Sequence, residues 1–358
     1  MRARLRLPLV AAVLATACPT QTGPQPAIEL LLVANKADDS LSIFLPAERR
    51  ELATLPTGDG PHEVAIAPDG RLAVVTDYGA ERDGHSLTVV DIDARKVVRT
   101  IELTDEAVAA EGGSRTRTFL RPHGVQFVGD SRVVVTSERA RRLLLVELVT
   151  GKVERTWPTP QLTMHMVAVS SDLRTAAATS IKDGSVVLFG LGADGTASAP
   201  IACGDGSEGL AVQPGTGTVW VGNRAANTLS IVDPKTAKVV KTLATGDFPF
   251  RLVFTADGSR ALVTCAESGD LMVFDAATHA VVSTISIHAD GSELSAMPMG
   301  VAVDGAGKRA FVACGRGEFL ATIDLAAGKV VDRLQARPGC DGIAWVRRPQ
   351  VGAPADKH

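Results

Sequence analysis

Aromatic residues are scarce in this chain of 358 residues, of which they form 4% while hydrophobic residues together form 45%. A core of this composition must be built mainly from Val, Ala, Leu and Ile, and Val and Ile fit the pleated surface of a β-sheet. No segment repeats its apolar residues at helical spacing, which excludes a helical-repeat fold. Composition and pattern together favour strands.

The chain also lacks a block of Lys and Arg, and its formal net charge is -3. A protein that binds nucleic acid needs a basic patch to neutralise phosphates. Nucleic acid is therefore excluded as a predicted partner.

Motifs of common catalytic sites are missing as well. The sequence contains no GxSxG, no P-loop, no HExxH and no CxxCH. None of its five cysteines belongs to a CxxC pair, which excludes a zinc-ribbon pattern. The catalytic residues, if the protein is an enzyme, are thus unknown from motifs.

The N-terminus has the three parts of a secretion signal. Arg2, Arg4 and Arg6 form a basic start, an apolar run covers 7–14, and small residues precede Cys18. The apolar run is too short for a permanent membrane-spanning helix. We therefore expect a signal peptide over residues 1–17.

The segment LATAC, which ends at Cys18, resembles a bacterial lipoprotein processing box. This resemblance implies a lipid on Cys18, with residues 18–28 as a tether between the lipid and the folded body. Ordinary cleavage after Ala17 is the alternative. Both predict export to the bacterial cell envelope, in the periplasm or at the outer membrane surface, and the only predicted membrane contact is the lipid anchor.

A repeat of about 42 residues runs through the remaining chain. Its best-kept line is PHEVAIAPDGRLAVVTDYG, and related lines start at Pro61, Pro122, Met164, Ser207, Pro249 and Pro298. Each unit holds four short strand-like runs separated by turn residues. The third run of several units ends in an acidic residue, which we interpret as a turn cap rather than a metal ligand: Asp91, Asp233, Asp275 and Asp324.

The seventh copy of the repeat is split between the two ends of the chain, at 340–346 and 29–35. Seven four-stranded antiparallel units predict an all-β, seven-bladed β-propeller over residues 29–346, followed by a tail at 347–358. A C-terminal inner strand would complete the blade whose three outer strands come from the N-terminus. A ring closed in this way needs no second copy, so we expect a monomer.

Strands such as AVVTD, VWVGN and AFVAC, together with the line TLSIVDPKTAKVVKTLATGDFP, resemble the YVTN-type β-propeller repeats of exported bacterial and archaeal proteins. The resemblance covers nearly all of 29–346 and implies the fold. It does not imply one function, because such propellers serve as surface proteins, binding modules and oxidoreductase subunits. The line that starts at Pro61 also resembles lactonase-type propellers, from which no catalytic residue can be transferred.

The first residues of the innermost strands should lie around one mouth of the central channel. Five neighbouring blades place metal-binding residue types there: Asp341, His62, His123, His165 and Glu208. Imidazoles and carboxylates suit Zn, Cu or Fe, so we predict a metal or anionic-ligand site. The alternative is that each histidine caps the channel by bonding a neighbouring carbonyl.

Two functions follow from this arrangement. The first is a binding or interaction module for a protein or small molecule. The second is an enzyme of lactonase or metal-dependent oxidoreductase type, with the three histidines as metal ligands and Glu208 or Asp341 as acid–base group.

Four cysteines fall inside the repeats. Cys265 and Cys314 share a repeat position in neighbouring blades, and Cys340 precedes the closing strand. We predict a Cys314–Cys340 disulfide, with free buried thiols as the alternative and a thiolate metal ligand as a further one.

The two longest departures from the repeat, at 78–86 and 104–121, are predicted on the same face as the mouth. Long loops on a rigid scaffold commonly carry binding function. Arg115, Arg117 and Arg121 would meet an anion there, although a solvated loop explains them equally well.

Overall fold

The computed structural model describes residues 27–108, 114–288 and 293–349. Within these ranges the chain forms seven four-stranded antiparallel sheets and one two-stranded hairpin, which confirms the seven-bladed propeller. The predicted signal peptide, Cys18 and most of the tether and tail lie outside the described residues. No described helix is long and apolar enough to cross a membrane.

The chain starts with the three outer strands of the closing blade, the blade whose inner strand comes from the C-terminus. These strands and one 3-10 turn are β1 (Ala27–Asn35), β2 (Ser40–Leu45), η1 (Pro46–Glu48) and β3 (Arg50–Pro56). Blade 1 follows as β4 (Pro61–Ile66), β5 (Leu72–Asp77), β6 (Ser86–Asp91) and β7 (Lys96–Glu102). An inserted hairpin consists of β8 (Thr104–Val108) and β9 (Ser114–Thr118). Blade 2 is β10 (Pro122–Phe127), β11 (Arg132–Ser137), β12 (Arg142–Glu147) and β13 (Lys152–Pro158).

The remaining blades repeat this plan. Blade 3 is β14 (Met164–Val169), β15 (Thr175–Ser180), β16 (Ser185–Gly190) and β17 (Ile201–Ala202). Blade 4 is β18 (Ser207–Val212), β19 (Val219–Asn223), β20 (Thr228–Asp233) and β21 (Lys238–Ala244). Blade 5 is β22 (Pro249–Phe254), β23 (Arg260–Cys265), β24 (Asp270–Asp275) and β25 (Val281–Ser286). Blade 6 is β26 (Pro298–Val303), β27 (Arg309–Cys314), β28 (Phe319–Asp324) and β29 (Lys329–Gln335), and the chain ends in β30 (Cys340–Pro349).

Strand β30 closes the ring. It pairs antiparallel with β1, from Ala27 opposite Pro349 to Asn35 opposite Cys340, and the sheet order is β3-β2-β1-β30. Both strands extend past the expected limits of 29 and 346. The first and last segments of the chain thus share one sheet, so the ring cannot open without breaking backbone hydrogen bonds.

The hydrophobic core lies between blades rather than at the centre of the ring. In the described residues, one apolar cluster fills each of the seven interfaces between neighbouring blades. Strand alternation explains this distribution, because successive side chains of the middle strands point to opposite faces of a blade and each face meets a neighbour. The channel is left to side chains of the inner strands.

Each inner strand of blades 1 to 6 carries an irregularity at the same place. The pairing register shifts between its first and fourth residues, as between Pro61 and Val64 in β4. A bulge changes the direction of the local side chains. This shift sets the second and third residues of each inner strand at the channel mouth.

Threonines on second strands fix the mouth residues across blade boundaries. The Thr136 hydroxyl accepts the backbone N–H of Gly124 at 2.9 Å and donates to the His165 carbonyl of the next blade at 2.5 Å. Thr76, Thr179 and Thr264 make the same pair of contacts in their blades. Each of these threonines, called a threonine pin below, therefore links the inner strand of its own blade to the backbone of the mouth residue in the next blade.

The repeated third-strand aspartates cap turns, as predicted. Asp233 accepts the Lys235 N–H at 2.9 Å, and Asp275 accepts the Thr278 N–H at 2.7 Å. Asp91 and Asp324 make equivalent contacts. These residues lie at the blade turns and not at the channel.

Candidate metal site at the channel mouth

Three imidazole rings meet at the mouth of the channel. His62, His123 and His165 are the second residues of β4, β10 and β14. Ring centroids lie 4.1 Å apart for His62 and His123 and 3.6 Å apart for His123 and His165. The repeat position thus predicted the residues that meet, including Glu208 and Asp341 on either side of the histidines.

His165 and Glu208 form ion pairs with each other and with other charged groups. His165 Nδ1 lies 2.7 Å from Glu138 Oε1, and Nε2 lies 3.2 Å from Glu208 Oε1. With a carboxylate at each nitrogen, the ring is suited to carry both protons. Burial alone would lower the pKa of His165, but the Glu208 and Glu138 carboxylates outweigh burial and raise it.

Glu208 also accepts hydrogen bonds from two guanidinium groups. Arg251 Nη1 lies 3.1 Å from Glu208 Oε1, and Arg224 donates to Oε2. Burial would raise the pKa of Glu208, but the charges of His165 and both arginines hold it well below the usual range. Glu208 therefore stays ionised and cannot serve as a proton donor.

His62, His123 and Asp341 differ from His165 and Glu208, because each of them has at least one buried polar side-chain atom without a hydrogen-bond partner. The unpartnered atoms among the described residues include His62 Nδ1, both ring nitrogens of His123, and Asp341 Oδ1. His123 is 0% exposed. Burial, followed by the charge of His165, lowers the pKa of His123 well below its ordinary value, so its ring is neutral.

The short distances in this group are of a kind that a cation would bridge. His62 Nδ1 lies 3.1 Å from Asp341 Oδ2 and 3.7 Å from Glu63 Oε1. One ligand atom each from His62, Glu63 and His123 falls within 4.8 Å of the other two. Buried polar atoms are normally paired, so orphaned atoms at one place call for an explanation.

Glu63 was not predicted as a site residue. The register shift in β4 turns its side chain toward the channel mouth. Glu63 is the third residue of β4, where blades 2, 4, 6 and the closing blade have glycine: Gly124, Gly209, Gly300 and Gly342. A side chain is excluded at those glycines by the next blade; a Cβ on Gly124 would lie 2.6 Å from Val167 N. A non-glycine at this position was the available signal, and Arg251 carries the same signal in β22.

Arg251 spans the channel between blades that are not neighbours. Its Nε lies 3.0 Å from Glu63 Oε1, and Nη2 donates to the same oxygen. Among the described residues no hydrogen bond reaches Glu63 Oε2. Burial would raise the pKa of Glu63, but the Arg251 charge lowers it, so Glu63 is ionised.

A second ring of unpredicted residues covers the mouth. These are the residues that follow the second strands: Lys36, Tyr78, Glu138 and Arg224. Lys36 Nζ lies 3.1 Å from His62 Nε2, and the Tyr78 ring stands edge-on to His62 and His123 at centroid distances of 5.3 and 5.2 Å. Sequence reasoning missed them because only the inner strands were compared across repeats.

Tyr78 anchors the first long loop to this cover. Its hydroxyl donates to Glu138 Oε2 at 2.9 Å and accepts from Arg121 Nη1 at 2.9 Å. Burial and the nearby Glu138 raise the pKa of Tyr78 to about 12, so it stays protonated. The long loops therefore do lie on the face of the mouth.

The predicted anion-binding arginines of that face are paired with acids where their side chains are described. Arg121 and Arg139 both bind Asp83, and Arg117 binds Asp105. The side chain of Arg115 lies outside the described part of the structure. The described arginines thus hold the loop in place.

The four cysteines within the described residues carry free thiols, and the predicted Cys314–Cys340 disulfide is absent. Cys340 Sγ lies 3.5 Å from the Cys314 carbonyl, whereas Cys314 Sγ lies 3.7 Å from the Val312 carbonyl. Burial raises the pKa of Cys340 to about 12 and that of Cys314 further, so both are thiols rather than thiolates. The two sulfurs face different backbone groups, since Cys314 ends a second strand and Cys340 starts the inner strand.

Comparison with known proteins supports the fold alone. No family model matches the chain, and no curated protein matches it. The crystal structure of a functionally unknown protein from Desulfotomaculum acetoxidans DSM 771 is similar, with a TM-score of 0.68 and 17% sequence identity. The similarity covers 88% of this chain and 98% of that chain.

Proposed function

We propose that this protein is an exported, lipid-anchored binding module in which a metal ion at the channel mouth contributes to ligand binding. The observation that carries the proposal is the group of buried, unpartnered atoms on His62, His123 and Asp341. The long-loop face around this mouth would receive the partner, a protein or a small molecule. Export and anchoring rest on residues 1–18 of the sequence.

The donor set proposed for the metal is His62, His123, Glu63 and Asp341. Two imidazoles with carboxylate oxygens suit Zn or Fe better than a soft ion such as Cu(I). His165 and Glu208 are left out because each already satisfies charged partners. Their role would be to hold the charge balance of the mouth.

Lys36 competes with the metal in this proposal. Its ammonium group lies 3.1 Å from His62 Nε2, so it places a positive charge beside the site, and it can donate to Nε2 only when the ring proton is on Nδ1. A metal on His62 Nδ1 would require that proton to leave and Lys36 to turn away. Replacing Lys36 by methionine should therefore tighten metal binding.

Calorimetric titration of the metal-free protein with zinc tests the proposal. We expect one site in the unaltered protein, tighter binding in Lys36→Met, and no binding in His123→Ala. His279→Ala is the matched control, since His279 lies in a turn of blade 5 away from the mouth. Equal zinc binding by His123→Ala and the unaltered protein would refute the site.

A metal-dependent enzyme of lactonase or oxidoreductase type is the second candidate. Asp341 is the observation that favours it, because this buried carboxylate keeps one unpartnered oxygen beside the proposed metal. Glu208, the other acid–base group considered, is excluded by its bonds to His165, Arg224 and Arg251. Turnover of a lactone panel that disappears in Asp341→Asn, even at zinc concentrations that saturate the variant, would favour the enzyme.

A further inference from the structure

A cavity of about 500 Å³ occupies the central channel on the other side of the Arg251–Glu63 pair from the histidines. These two side chains are among its lining residues and cross the channel between blades 5 and 1. The remaining lining comes largely from later residues of the inner strands. The channel therefore has a charged closed end and a separate compartment beyond it.

The walls of this compartment are mainly apolar. They include Ile66, Phe127, Val169, Val253, Ala344 and Trp345. The polar groups among the lining side chains, apart from the closed end, are the Gln126 amide, the Ser170 and Ser171 hydroxyls, and the Trp345 indole N–H, which has no hydrogen-bond partner among the described residues. Pockets of this size with apolar walls and a few polar groups are typical of small-molecule sites.

The far end of the cavity lies on the face opposite the mouth. Ser170, Ser171 and Leu173 belong to the turn that joins the first and second strands of blade 3. Ala27, where the described chain begins, pairs with Pro349 at the same end of β30. The segment that leads back to Cys18 thus leaves the propeller on the face where the cavity ends.

The chemistry of the cavity selects a narrow class of ligand. At the closed end Arg251 and Glu63 are already paired with each other, and the walls between this pair and the open end are aliphatic and aromatic. A buried polar group on the ligand would therefore lose its hydrogen bonds to water there. Gln126 and Ser171 offer hydrogen bonds elsewhere in the lining, whereas the Ser170 hydroxyl already donates to Asp172 at 2.6 Å. We propose that this channel binds the aliphatic chain of a single-chain amphiphile, with the polar head held by Gln126 and Ser171.

The proposed function bears only on the source of this ligand. If residues 18–26 tether the protein to a membrane, the cavity opens toward the lipid surface, and the tether spans at most about 30 Å when fully extended. Binding itself does not require a metal at the mouth.

Contact quenching of Trp345 provides a direct test. The chain has three tryptophans, and Trp157 and Trp220 are 3% and 0% exposed and do not line the cavity. Titration with a bromine-substituted long-chain fatty acid should quench Trp345 fluorescence and saturate at one equivalent. In Trp345→Phe the quenching should be lost while calorimetry still detects binding.

Variants that fill the cavity separate specific binding from surface adsorption. Ala344→Phe and Ala65→Phe introduce a ring from two different blades, and each should weaken binding at least tenfold. Ala327→Phe, in an exposed turn of blade 6, is the matched control. Quenching that does not saturate would overturn the proposal. An affinity equal to that of the unaltered protein in both filling variants, each shown to be folded, would also overturn it.

The source of the chain is decided with vesicles. Phosphatidylcholine vesicles that carry a bromine-substituted, single-chain lysophosphatidylcholine are compared with the free fatty acid under the same conditions. Quenching by both indicates uptake from the membrane, and quenching by the fatty acid alone indicates a soluble ligand; quenching by neither overturns the site. Zinc titration of the same samples shows whether the mouth is intact, so failure of one site does not imply failure of the other.

Discussion

His123 is the residue on which the mouth depends most. It sits between the rings of His62 and His165, fully buried, with neither nitrogen bonded to the described protein. Retaining such a residue costs folding free energy, because both nitrogens lose their hydrogen bonds to water. A metal ion would recover that cost.

This cost predicts the effect of His123→Leu on the metal-free protein. Removal of the unpaired buried polar group should stabilise the fold by about 1–3 kcal/mol, while zinc binding is lost. Chemical denaturation of the metal-free variant measures the change. His85→Leu is the control, since His85 is a partly exposed loop residue bonded to Glu102. A strongly destabilised His123→Leu would instead show that the imidazole is required for the fold.

Asp77 gives a prediction that depends on pH. Burial raises its pKa even though Ser86, Thr88 and the Gly58 N–H donate to the carboxylate. The folded state thus binds the proton more tightly than the unfolded state. The stability that Asp77 contributes is present in acid and is lost as pH rises from about 4 through the raised pKa.

Asp77→Asn should remove this dependence. Asparagine is compatible with the position, because Asn35 and Asn223 occupy it in other blades, where Asn35 donates to a Ser hydroxyl and Asn223 to a Ser and a Thr hydroxyl. We expect a higher melting temperature than that of the unaltered protein at pH 7, and a smaller difference at pH 3. A lower melting temperature at pH 7 would contradict this reading of the site.

Single site residues were predictable where they occupy the same position in several repeats. His62, His123, His165, Glu208 and Asp341 share one repeat position, and they do gather at the mouth. Their partners depend on side-chain geometry that spacing does not contain. Lys36 and Glu138 come from turns, and the engagement of His165 by two carboxylates was visible only in three dimensions.

At the level of strands, the threonine pins position the mouth. Thr136 connects β11 to its own inner strand and to the His165 backbone. Three blades have no threonine at this position, where Ala34, Gly222 and Ala313 stand. The pins therefore concentrate around the histidine-bearing blades and blade 5.

Thr136→Val should uncouple blades 2 and 3 at the mouth. The variant keeps the shape of the side chain but leaves the Gly124 N–H and the His165 carbonyl without this partner. We expect a loss of about 1–3 kcal/mol in unfolding free energy, measured by denaturant titration. Thr284→Val, on the exposed outer strand β25, serves as control and should change stability by less than about 0.5 kcal/mol. Equal effects of the two substitutions would argue against the pin.

Element boundaries were less predictable than element order. The repeat gave the four strands of each blade, because turn residues such as Asp69 and Gly70 separate them. The hairpin β8–β9 inside the long insertion at 104–121 has no counterpart in other repeats and was expected only as a loop. The inner-strand bulges likewise leave no mark in apolar spacing.

For the whole molecule, closure by β30 is the decisive feature. Seven repeats with one copy split between the chain ends predict the ring, and the pairing of β1 with β30 confirms it. This pairing also places Asp341 beside His62 of blade 1. Ring closure and assembly of the mouth are therefore coupled.

Truncation measures this coupling. A chain that stops at Gly339 lacks β30, leaves the inner edge of the closing blade unpaired and removes Asp341. We expect it to lose cooperative thermal unfolding and to aggregate, whereas a chain that stops at Pro349 keeps every described strand and should melt like the full chain. Cooperative unfolding of the shorter chain at an unchanged temperature would show that closure contributes little.

Metal analysis of the mature protein from its native compartment tests most directly whether the channel mouth holds a metal ion. Elemental mass spectrometry is applied to the unaltered protein and to the triple variant His62→Ala, His123→Ala, His165→Ala. We expect about one equivalent of Zn or Fe per chain in the unaltered protein, and its loss in a triple variant that remains folded. Absence of metal from the unaltered protein, or an equal content in both proteins, would contradict it.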